Sequence, residues 1–417
     1  MSNLASGYKL DTFRVHQLSN GFSVITQEDH SVPIVTCMIF YAAGSRYDPP
    51  GAAGMAHFLE HMLFKGTSRF GKGEIDYLTA VNGGVNNAFT SLDYAAYYFS
   101  FAADRWTVAL EIEADRMKNN LFDPSEFELE RQVILEELKM DLDTPWGLLR
   151  RTVETEAMRG HPYGHPVIGF AEDIEQITIQ QMEEFYRSYY RPNNATLVLV
   201  GDFDTDRALS RVESLFGAIP SFDLPSVEGP VVEPEGKWVE VEQFTHVGRL
   251  IAAGPAPSFQ DDDLFPLLLL EKVLTQGELS RLNERLVERE ALVSFIDSEL
   301  FETKEPYLLL FQAELNEGAA PERVRDAMVT EFERLCEDGV SPEELTRARN
   351  QCLHDFVADQ EIGTDWAAQL GLAKMLDSLE RLEEFPVRFL SVSSAGLIEV
   401  AGRYLQPEKF LFAVNRP

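Results

Sequence analysis

Residues 57–66 read HFLEHMLFKG, a run whose apolar side chains cover most of a helical circumference. This pattern is typical of a helix that is buried on nearly all sides. The run also contains three polar residues, His57, Glu60 and His61. Leaving one buried polar group without a partner costs roughly 1 to 3 kcal/mol. The stretch therefore predicts a buried helix whose polar side chains share a common partner.

The three polar residues fall within about 100° of one another on one helix face, because an α-helix has about 3.6 residues per turn. Two imidazoles four residues apart can bind one metal ion, with a carboxylate beside them as general base. This H-x-x-E-H order is the inverse of the H-E-x-x-H helix of zinc peptidases, and its chemistry is hydrolytic. The alternative, core histidines paired with neighbours, must explain three such groups in one turn. We therefore predict a zinc-dependent hydrolytic site.

A third protein ligand must come from elsewhere, since catalytic zinc usually has three and keeps one position open for water. The stretch DPSEFELERQVILEELKMDL opens with the residue types of a helix start and contains several glutamates. Glu130 and Glu137 lie nearly on one face of this helix, and Glu136 points about 100° away. Both faces carry apolar residues, and a solvated acidic face is an ordinary property of such a helix. Periodicity alone leaves the third ligand open.

The bulk composition predicts a soluble globular protein of about two domains. The chain has 417 residues, of which 45% are hydrophobic and 25% are charged. Its net charge of −33, without a basic patch, argues against nucleic acid and anionic membrane surfaces as partners. The same charge can attract basic peptides, or it can simply keep the surface solvated.

The location is predicted to be cytoplasmic. Three scattered cysteines, Cys37, Cys336 and Cys352, form no disulfide framework and suggest a reducing compartment. The first residues, MSNLASGYKLDTFRVHQL, lack the features of a secretory signal, and no apolar window is long enough to span a membrane.

The sequence contains an internal repeat. YAAGS at 41–45 recurs as IAAGP at 251–255, and the same offset carries the buried helix onto LFPLLLLEKVLTQG at 264–277. GFSVITQED, PIVTCMIFYAAGS and NNAFTSLDYAAYYFSFAA are strand-like, and YRP with ATLVLV matches LQP with FLFAV near the two ends. Chance similarity of a few strands and helices is the alternative. We predict an α+β fold of two homologous sandwich-like domains, each a mostly antiparallel sheet with packed helices.

The predicted domains are 1–222 and 237–417, joined by a Pro- and Gly-rich linker at 223–236. At the repeat offset, the second copy has Leu267, Leu270 and Glu271 in place of the three polar residues of the first. The second copy therefore keeps the apolar helix and loses both histidines. The fold does not require the predicted metal site.

Five segments carry a resemblance to a known family: GMAHFLEHMLFKGT, NNAFTS, ELERQVILEE, HPYGHPVIG and YRPNNATLVLVGDFD. They resemble the inverzincin peptidases of the M16, or pitrilysin-like, family, and the resemblance covers essentially the whole chain. The chain is most similar to half-size subunits such as those of mitochondrial processing peptidase and its bacterial counterparts. The resemblance implies an endopeptidase that cleaves peptides or short unfolded polypeptides inside a clamshell chamber, of which this chain is half.

The resemblance assigns roles to the glutamates. It places the third zinc ligand at Glu137, with His57 and His61, and gives Glu130 a supporting catalytic role. Glu60 matches the family's general base, which takes a proton from the water that attacks the peptide carbonyl. NNAFT at 86–90 resembles the edge strand that pairs with the substrate backbone. The implied substrate-binding residues are Asn87, Ala88, Phe89 and Thr90.

One family feature is missing. Members that act alone carry an arginine and a tyrosine in the second domain, and the matching stretch here is SRLNERLVEREALVSF. The arginine falls on Val287, the tyrosine on Ser294 and a glycine on Ala291. An apolar side chain cannot stabilise an oxyanion as a guanidinium does.

Two interpretations follow from the missing pair. In the first, the chain is the zinc-bearing subunit of a heterodimer, and a sister subunit supplies the Arg/Tyr pair; a homodimer is the other assembly considered. In the second, the chain is a non-catalytic assembly or peptide-binding homologue with a vestigial zinc site. The first is favoured, because a buried metal triad without a function would erode.

Overall fold

The structure, a computed structural model, describes residues 13–243 and 245–416. The strands in these ranges are β1 (Arg14–Gln17), β2 (Ser23–Glu28), β3 (Ile34–Tyr41), β4 (Val85–Thr90), β5 (Ala95–Ala102), β6 (Ala195–Gly201), β7 (Lys237–Glu240), β8 (Arg249–Ala256), β9 (Val293–Leu300), β10 (Tyr307–Leu315) and β11 (Leu411–Asn415). The α-helices are α1 (Met55–Met62), α2 (Glu74–Val81), α3 (Thr107–Asn119), α4 (Pro124–Asp143), α5 (Gly147–Ala157), α6 (Ala171–Gln176), α7 (Ile179–Tyr189), α8 (Thr205–Phe216), α9 (Leu264–Thr275), α10 (Pro321–Asp338), α11 (Pro342–Ala358), α12 (Gly363–Met375), α13 (Leu379–Ser391) and α14 (Ser394–Tyr404).

The first compact unit is built around a six-stranded sheet in the order β1-β2-β6-β3-β5-β4. Strands β2 and β6 pair in parallel, and the other neighbours pair antiparallel. The central strands β3 and β6 are almost entirely buried, which agrees with their continuous apolar sequences. Strand β4 is the last strand in this order and therefore forms an edge of the sheet.

The second compact unit is built around a five-stranded sheet in the order β7-β11-β8-β10-β9. Its parallel pair is β7 with β11, and the remaining neighbours are antiparallel. This is the order of β2-β6-β3-β5-β4 in the first unit, with the parallel pair at the same place. The shared topology confirms the predicted α+β class with two homologous, mostly antiparallel domains.

Each compact unit contains a segment from the other half of the sequence. The first comprises the residues described up to Leu138, together with Pro166–Glu228 and Val357–Glu383, and the second takes the rest. Helix α12, from the second half of the sequence, packs on β3 and β6, and helix α5, from the first half, packs on β8 and β11. The predicted linker, 223–236, contains one of the points where the chain passes from the first unit to the second, between Glu228 and Gly229. The contiguous domain boundaries 1–222 and 237–417 stay a prediction. They were drawn from the repeat offset, which does not reveal that α5 and α12 pack in the other unit.

Helix α12 fits closely against the first sheet. The side chain of Trp366 is 1% exposed, and its indole Nε1–H donates to Gln27 Oε1 at 2.6 Å. Gly371 lies against the Phe40 ring so closely that a Cβ at this position has no room. A helix from a distant part of the sequence is therefore an integral part of the first unit.

We expect Trp366→Ala to destabilise the first unit by roughly 3 to 5 kcal/mol, because it removes a large buried ring. It also leaves the buried Gln27 side chain without its indole donor. The measurement is the guanidinium midpoint of unfolding. Trp366→Phe keeps most of the packing, so its midpoint should lie between those of the wild type and the alanine variant. Equal midpoints for Trp366→Ala and the wild type would contradict this account.

None of the helices in the described ranges is both long enough and apolar enough to cross a membrane. Most of the N-terminal stretch used to predict the location, residues 1–12, lies outside the described residues. The cytoplasmic location stays a prediction.

Candidate active site

Helix α1 carries both histidines of the H-x-x-E-H stretch and is held at its start by Asp48. The Asp48 carboxylate accepts hydrogen bonds from the backbone N–H groups of Gly54 at 2.7 Å and Ala56 at 2.8 Å. Phe58 on α1 is fully buried and stacks on Phe127 of α4 at a centroid distance of 4.6 Å. The apolar residues thus fix α1 against α4, and the helix is buried as its sequence predicts.

The structure brings His57, His61 and Glu137 together. Their ligand atoms all lie within 4.8 Å of one another. Glu137 Oε2 is 3.5 Å from His61 Nε2 and 3.9 Å from His57 Nε2. Two ligands of a tetrahedral zinc ion are about 3.3 Å apart, given bonds of about 2.0 to 2.1 Å. The spacing therefore suits a zinc ion with small adjustments, and Glu136 is not part of this cluster.

The imidazole of His57 is in the neutral state that metal binding needs. Burial, and then the charge of His61, lowers the pKa of His57 to about 3, so this ring is neutral at ordinary pH. His57 Nδ1 is buried and has no hydrogen-bond partner among the described residues. His57 Nε2, on the other side of the ring, lies 3.9 Å from Glu137 Oε2, too far for a hydrogen bond, so this nitrogen is available to a metal ion. The donor set of two imidazoles and one carboxylate fits zinc.

Glu130 holds the second imidazole. His61 Nδ1–H donates to Glu130 Oε1 at 2.9 Å, which leaves His61 Nε2 facing the other ligands. Burial alone lowers the pKa of His61, but the hydrogen bond to Glu130 and the charges of Glu137 and Glu60 raise it overall. Glu130 Oε2 lies 2.5 Å from Lys65 Nζ. The two carboxylate oxygens of Glu130 are thus used by His61 and Lys65, and this glutamate orients a ligand.

Glu60 lies on the same turn as the histidines and is 9% exposed. Its Oε2 accepts a hydrogen bond of 2.5 Å from the hydroxyl of Thr90. Burial raises the pKa of Glu60, while the Thr90 hydrogen bond and the charges of His61 and Arg116 act in the opposite direction. A raised pKa suits a group that accepts a proton and then donates it.

Arg116 and Glu113 form a buried ion pair that sequence reasoning missed. Both side chains are 0% exposed, and their N–O distance is 2.7 Å. The Arg116 guanidinium lies 4.7 Å from the ring centroid of Phe64 and 4.8 Å from that of Tyr97. Burial raises the pKa of Glu113 to about 7. The i, i+3 spacing of the pair on α3 was a signal in the sequence, but many exposed pairs share it.

The predicted substrate-binding residues lie on the edge strand β4. Asn87, Ala88, Phe89 and Thr90 pair with β5 on one side of the strand, and no strand of the described residues pairs with β4 on its other side. An edge strand can pair with an extended peptide through its free N–H and C=O groups. The hydroxyl of Thr90, however, donates a hydrogen bond to Glu60, so this side chain is bonded to the neighbouring helix α1.

The second unit has no counterpart of the metal cluster among its described residues. Leu267 and Leu270 are buried on α9, and Glu271 is 7% exposed. Burial raises the pKa of Glu271 to about 7, and Ser298 on the edge strand β9 donates to Glu271 Oε1 at 3.2 Å. Glu271 therefore forms a structural hydrogen bond at the place of the second histidine.

The segment that matches the Arg/Tyr motif of the resemblance has neither an arginine nor a tyrosine at the two matching positions, Val287 and Ser294. Val287 lies in a π-helical segment, Asn283–Arg289. Ser294 is exposed on β9, and its hydroxyl lies 3.4 Å from the carbonyl oxygen of Glu314. Ala291 has a φ of 48°, in the left-handed region where glycine is favoured. Ala291 therefore adopts a backbone conformation that glycine adopts more easily.

Two family models match the chain in succession. The model described as insulinase, peptidase family M16, covers residues 23–170, and the model described as the peptidase M16 inactive domain covers residues 176–352. The zinc protease PqqE of Helicobacter pylori is 28% identical over 93% of this chain and 89% of its own length. The uncharacterized zinc protease YmxG of Bacillus subtilis is 24% identical over 95% of this chain and 97% of its own.

Solved structures show the same fold. The crystal structure of a protease from Helicobacter pylori has a TM-score of 0.91 and 27% identity, and the match covers 97% of this chain and 99% of that one. A peptidase M16 inactive domain from Pseudomonas fluorescens has a TM-score of 0.88 at 20% identity, over 97% and 98% of the two chains. The two family models, together with the zinc protease and the protease structure from Helicobacter pylori, show that the chain belongs to the M16 peptidase family, as a half-size member.

Proposed function

We propose that this chain is the zinc-bearing subunit of an endopeptidase that cleaves peptides or short unfolded polypeptides. The observation that carries the proposal is the convergence of His57 Nε2, His61 Nε2 and Glu137 Oε2, with Glu60 on the same helical turn. Relatives named zinc proteases support the choice of metal.

His57, His61 and Glu137 would hold zinc, which when bound polarises a water molecule and the peptide carbonyl as a Lewis acid. Glu60 accepts the proton of the attacking water and passes it to the leaving amine. Glu130 keeps the imidazole of His61 oriented by accepting its Nδ1–H. Each role uses a group that the structure places beside the ligand cluster.

The peptide would lie along β4, with its backbone paired to the free edge at Asn87, Ala88, Phe89 and Thr90. Main-chain hydrogen bonds depend little on the side chains of the peptide, so this binding mode supports cleavage of many different peptides. The net charge of −33 favours the capture of basic peptides if part of it surrounds the substrate.

A sister subunit would complete the site. Val287 and Ser294 offer neither a cation nor a phenol to the carbonyl oxygen. We therefore propose a heterodimer in which the sister chain lacks the histidines and carries the Arg/Tyr pair. A homodimer would lack that pair in both chains. We also propose that the complex is cytoplasmic, on the basis of the cysteine content.

The same missing pair favours a second candidate function, a non-catalytic assembly or peptide-binding protein that retains a vestigial zinc site. In support of it, the second half of the chain matches a model described as inactive. This candidate predicts zinc binding and peptide binding without turnover, whatever partner is added.

Glu137→Gln tests the zinc hydrolase directly. We expect it to lower zinc from about one ion per chain to a small fraction and to abolish peptide hydrolysis, because a neutral amide is a poor third ligand. Glu136→Gln is the matched control, since it changes the adjacent carboxylate, which is exposed and outside the cluster. Elemental analysis and turnover are measured on both variants. Full zinc content in Glu137→Gln, or zinc loss in Glu136→Gln, would refute the ligand assignment.

A further inference from the structure

Thr90 ends the edge strand β4, and its side chain points to the proposed general base. Its Oγ1–H donates to Glu60 Oε2 at 2.5 Å. Within residues 13–243 and 245–416, no other hydrogen bond to the Glu60 carboxylate is present. One oxygen of this carboxylate is therefore fixed by Thr90, and the other is left for proton transfer.

A glutamate needs such a support because its side chain has several rotatable bonds and a broad terminal torsion. A general base must lie within about 2.6 to 3.2 Å of the proton that it takes. A carboxylate that turns away from the attacking water loses this geometry even when the metal ligands are intact. A single well-placed donor can therefore decide how often Glu60 is in a reactive position.

Thr90 is itself held firmly. Its backbone is paired with Ala95 of β5, and Ala95 is fully buried. The β-branched side chain of threonine has a restricted χ1 torsion, which limits the directions that its hydroxyl can take. The hydroxyl reaches Glu60 from a strand that is paired in the sheet, whereas Glu60 projects from the adjacent helix α1.

We propose that Thr90 is a positioning residue for Glu60, and that it links the strand that docks the peptide to the base that activates water. The inference rests on the proposed peptidase function. Thr90 then has two roles: its backbone lies at the free edge of the sheet, and its hydroxyl acts through Glu60.

The alternative is a purely structural bond between helix and edge strand. The second unit contains such a bond without a metal site, where Ser298 of β9 donates to Glu271 of α9 at 3.2 Å. Ser298 also lies 2.5 Å from the hydroxyl of Thr275. This pair provides an internal control for the cost of removing an edge-strand hydroxyl.

The experiment compares Thr90→Val, Thr90→Ser and Ser298→Ala in the zinc-loaded protein, with its sister subunit where that is needed for turnover. Valine matches the shape of threonine without the hydroxyl, and serine keeps the hydroxyl. We expect Thr90→Val to lower kcat on the order of 10- to 100-fold with KM and zinc content unchanged. Thr90→Ser should restore most of kcat, and Ser298→Ala should leave kcat unchanged. Thr90→Ala is the second hydroxyl-free variant if valine disturbs folding.

Crystal structures of zinc-loaded Thr90→Val and Thr90→Ser give a readout that does not depend on turnover. We expect the Glu60 carboxylate to move in the valine variant and to keep its place in the serine variant. An unmoved Glu60 in Thr90→Val, an unchanged kcat, or an equal loss in Thr90→Ser would overturn the proposal. A wild type that is inert with every partner, together with a displaced Glu60 in Thr90→Val, would support the positioning role and refute the peptidase function.

Discussion

Replacing Glu60 with glutamine should lower the turnover of an unstructured peptide by roughly 10²- to 10⁴-fold, the usual contribution of general base catalysis. Glutamine has nearly the same shape as glutamate and can still accept the Thr90 hydrogen bond through its amide oxygen. It cannot take a proton from water at neutral pH. The variant therefore removes one chemical function and leaves the local packing in place.

Zinc content separates this result from loss of the metal. Glu60 is not one of the three clustered ligand residues, so Glu60→Gln should bind as much zinc as the wild type. The matched control is Glu271→Gln, which changes a buried glutamate of the second unit that also accepts an edge-strand hydroxyl. We expect normal turnover from this control. Retained hydrolysis in Glu60→Gln would show that a different group is the base.

The second large effect concerns the divided site. We expect the chain alone to hydrolyse a peptide of about 15 to 30 residues on the order of 10²- to 10³-fold more slowly than its mixture with a sister subunit that carries the Arg/Tyr pair. That range is the typical cost of losing one donor to the developing oxyanion. The double variant Val287→Arg with Ser294→Tyr should recover part of the difference without the sister subunit.

Other arginines of this segment are already engaged. Arg281, Arg285 and Arg289 each lie within 2.9 Å of a carboxylate oxygen. Their partners are Glu344 for the first, Glu290 and Glu331 for the second, and Glu284 for the third. Substituting for the missing guanidinium would require breaking one of these pairs. The nearby cations are therefore poor replacements for the family's arginine.

Turnover of the chain alone, of the double variant and of the mixture is measured with one peptide at equal zinc content. Ala291→Gly is a useful addition, because glycine adopts the φ of 48° more easily than alanine. Full activity from the chain alone would contradict the divided site and would require a different oxyanion donor. No activity in any mixture would favour the non-catalytic peptide-binding protein.

The fold was predictable where the sequence pattern is local or repeated. The continuous apolar strands, the helix opened by Asp123 and the recurrence of YAAGS as IAAGP correspond to β3, β6, α4 and the matching sheets of the two units. The exchange of α5 and α12 was not predictable, because the sequence pattern of an amphipathic or apolar helix does not indicate which sheet the helix packs against. Only the tertiary contacts of residues such as Trp366 reveal it.

For the candidate site, spacing on one helix was enough to group His57, Glu60 and His61. The choice of Glu137 over Glu136 depended on the family resemblance, since both lie on a helix with two partly apolar faces. Lys65 and Thr90 were not assigned their contacts, because an ion pair to Glu130 and a hydroxyl bond to Glu60 join residues far apart in the sequence. Periodicity describes single elements and contains no information on such contacts.

Because the two units exchange helices, the first unit can be completed only late in translation. All six strands of the first sheet have been synthesised by Gly201, yet the helix that packs on β3 and β6 begins only at Gly363. During translation of the intervening residues, the apolar face around Phe40 lacks that cover and is open to aggregation and proteolysis. A premature stop between these points would release a polypeptide that holds every proposed zinc ligand but cannot complete its first unit.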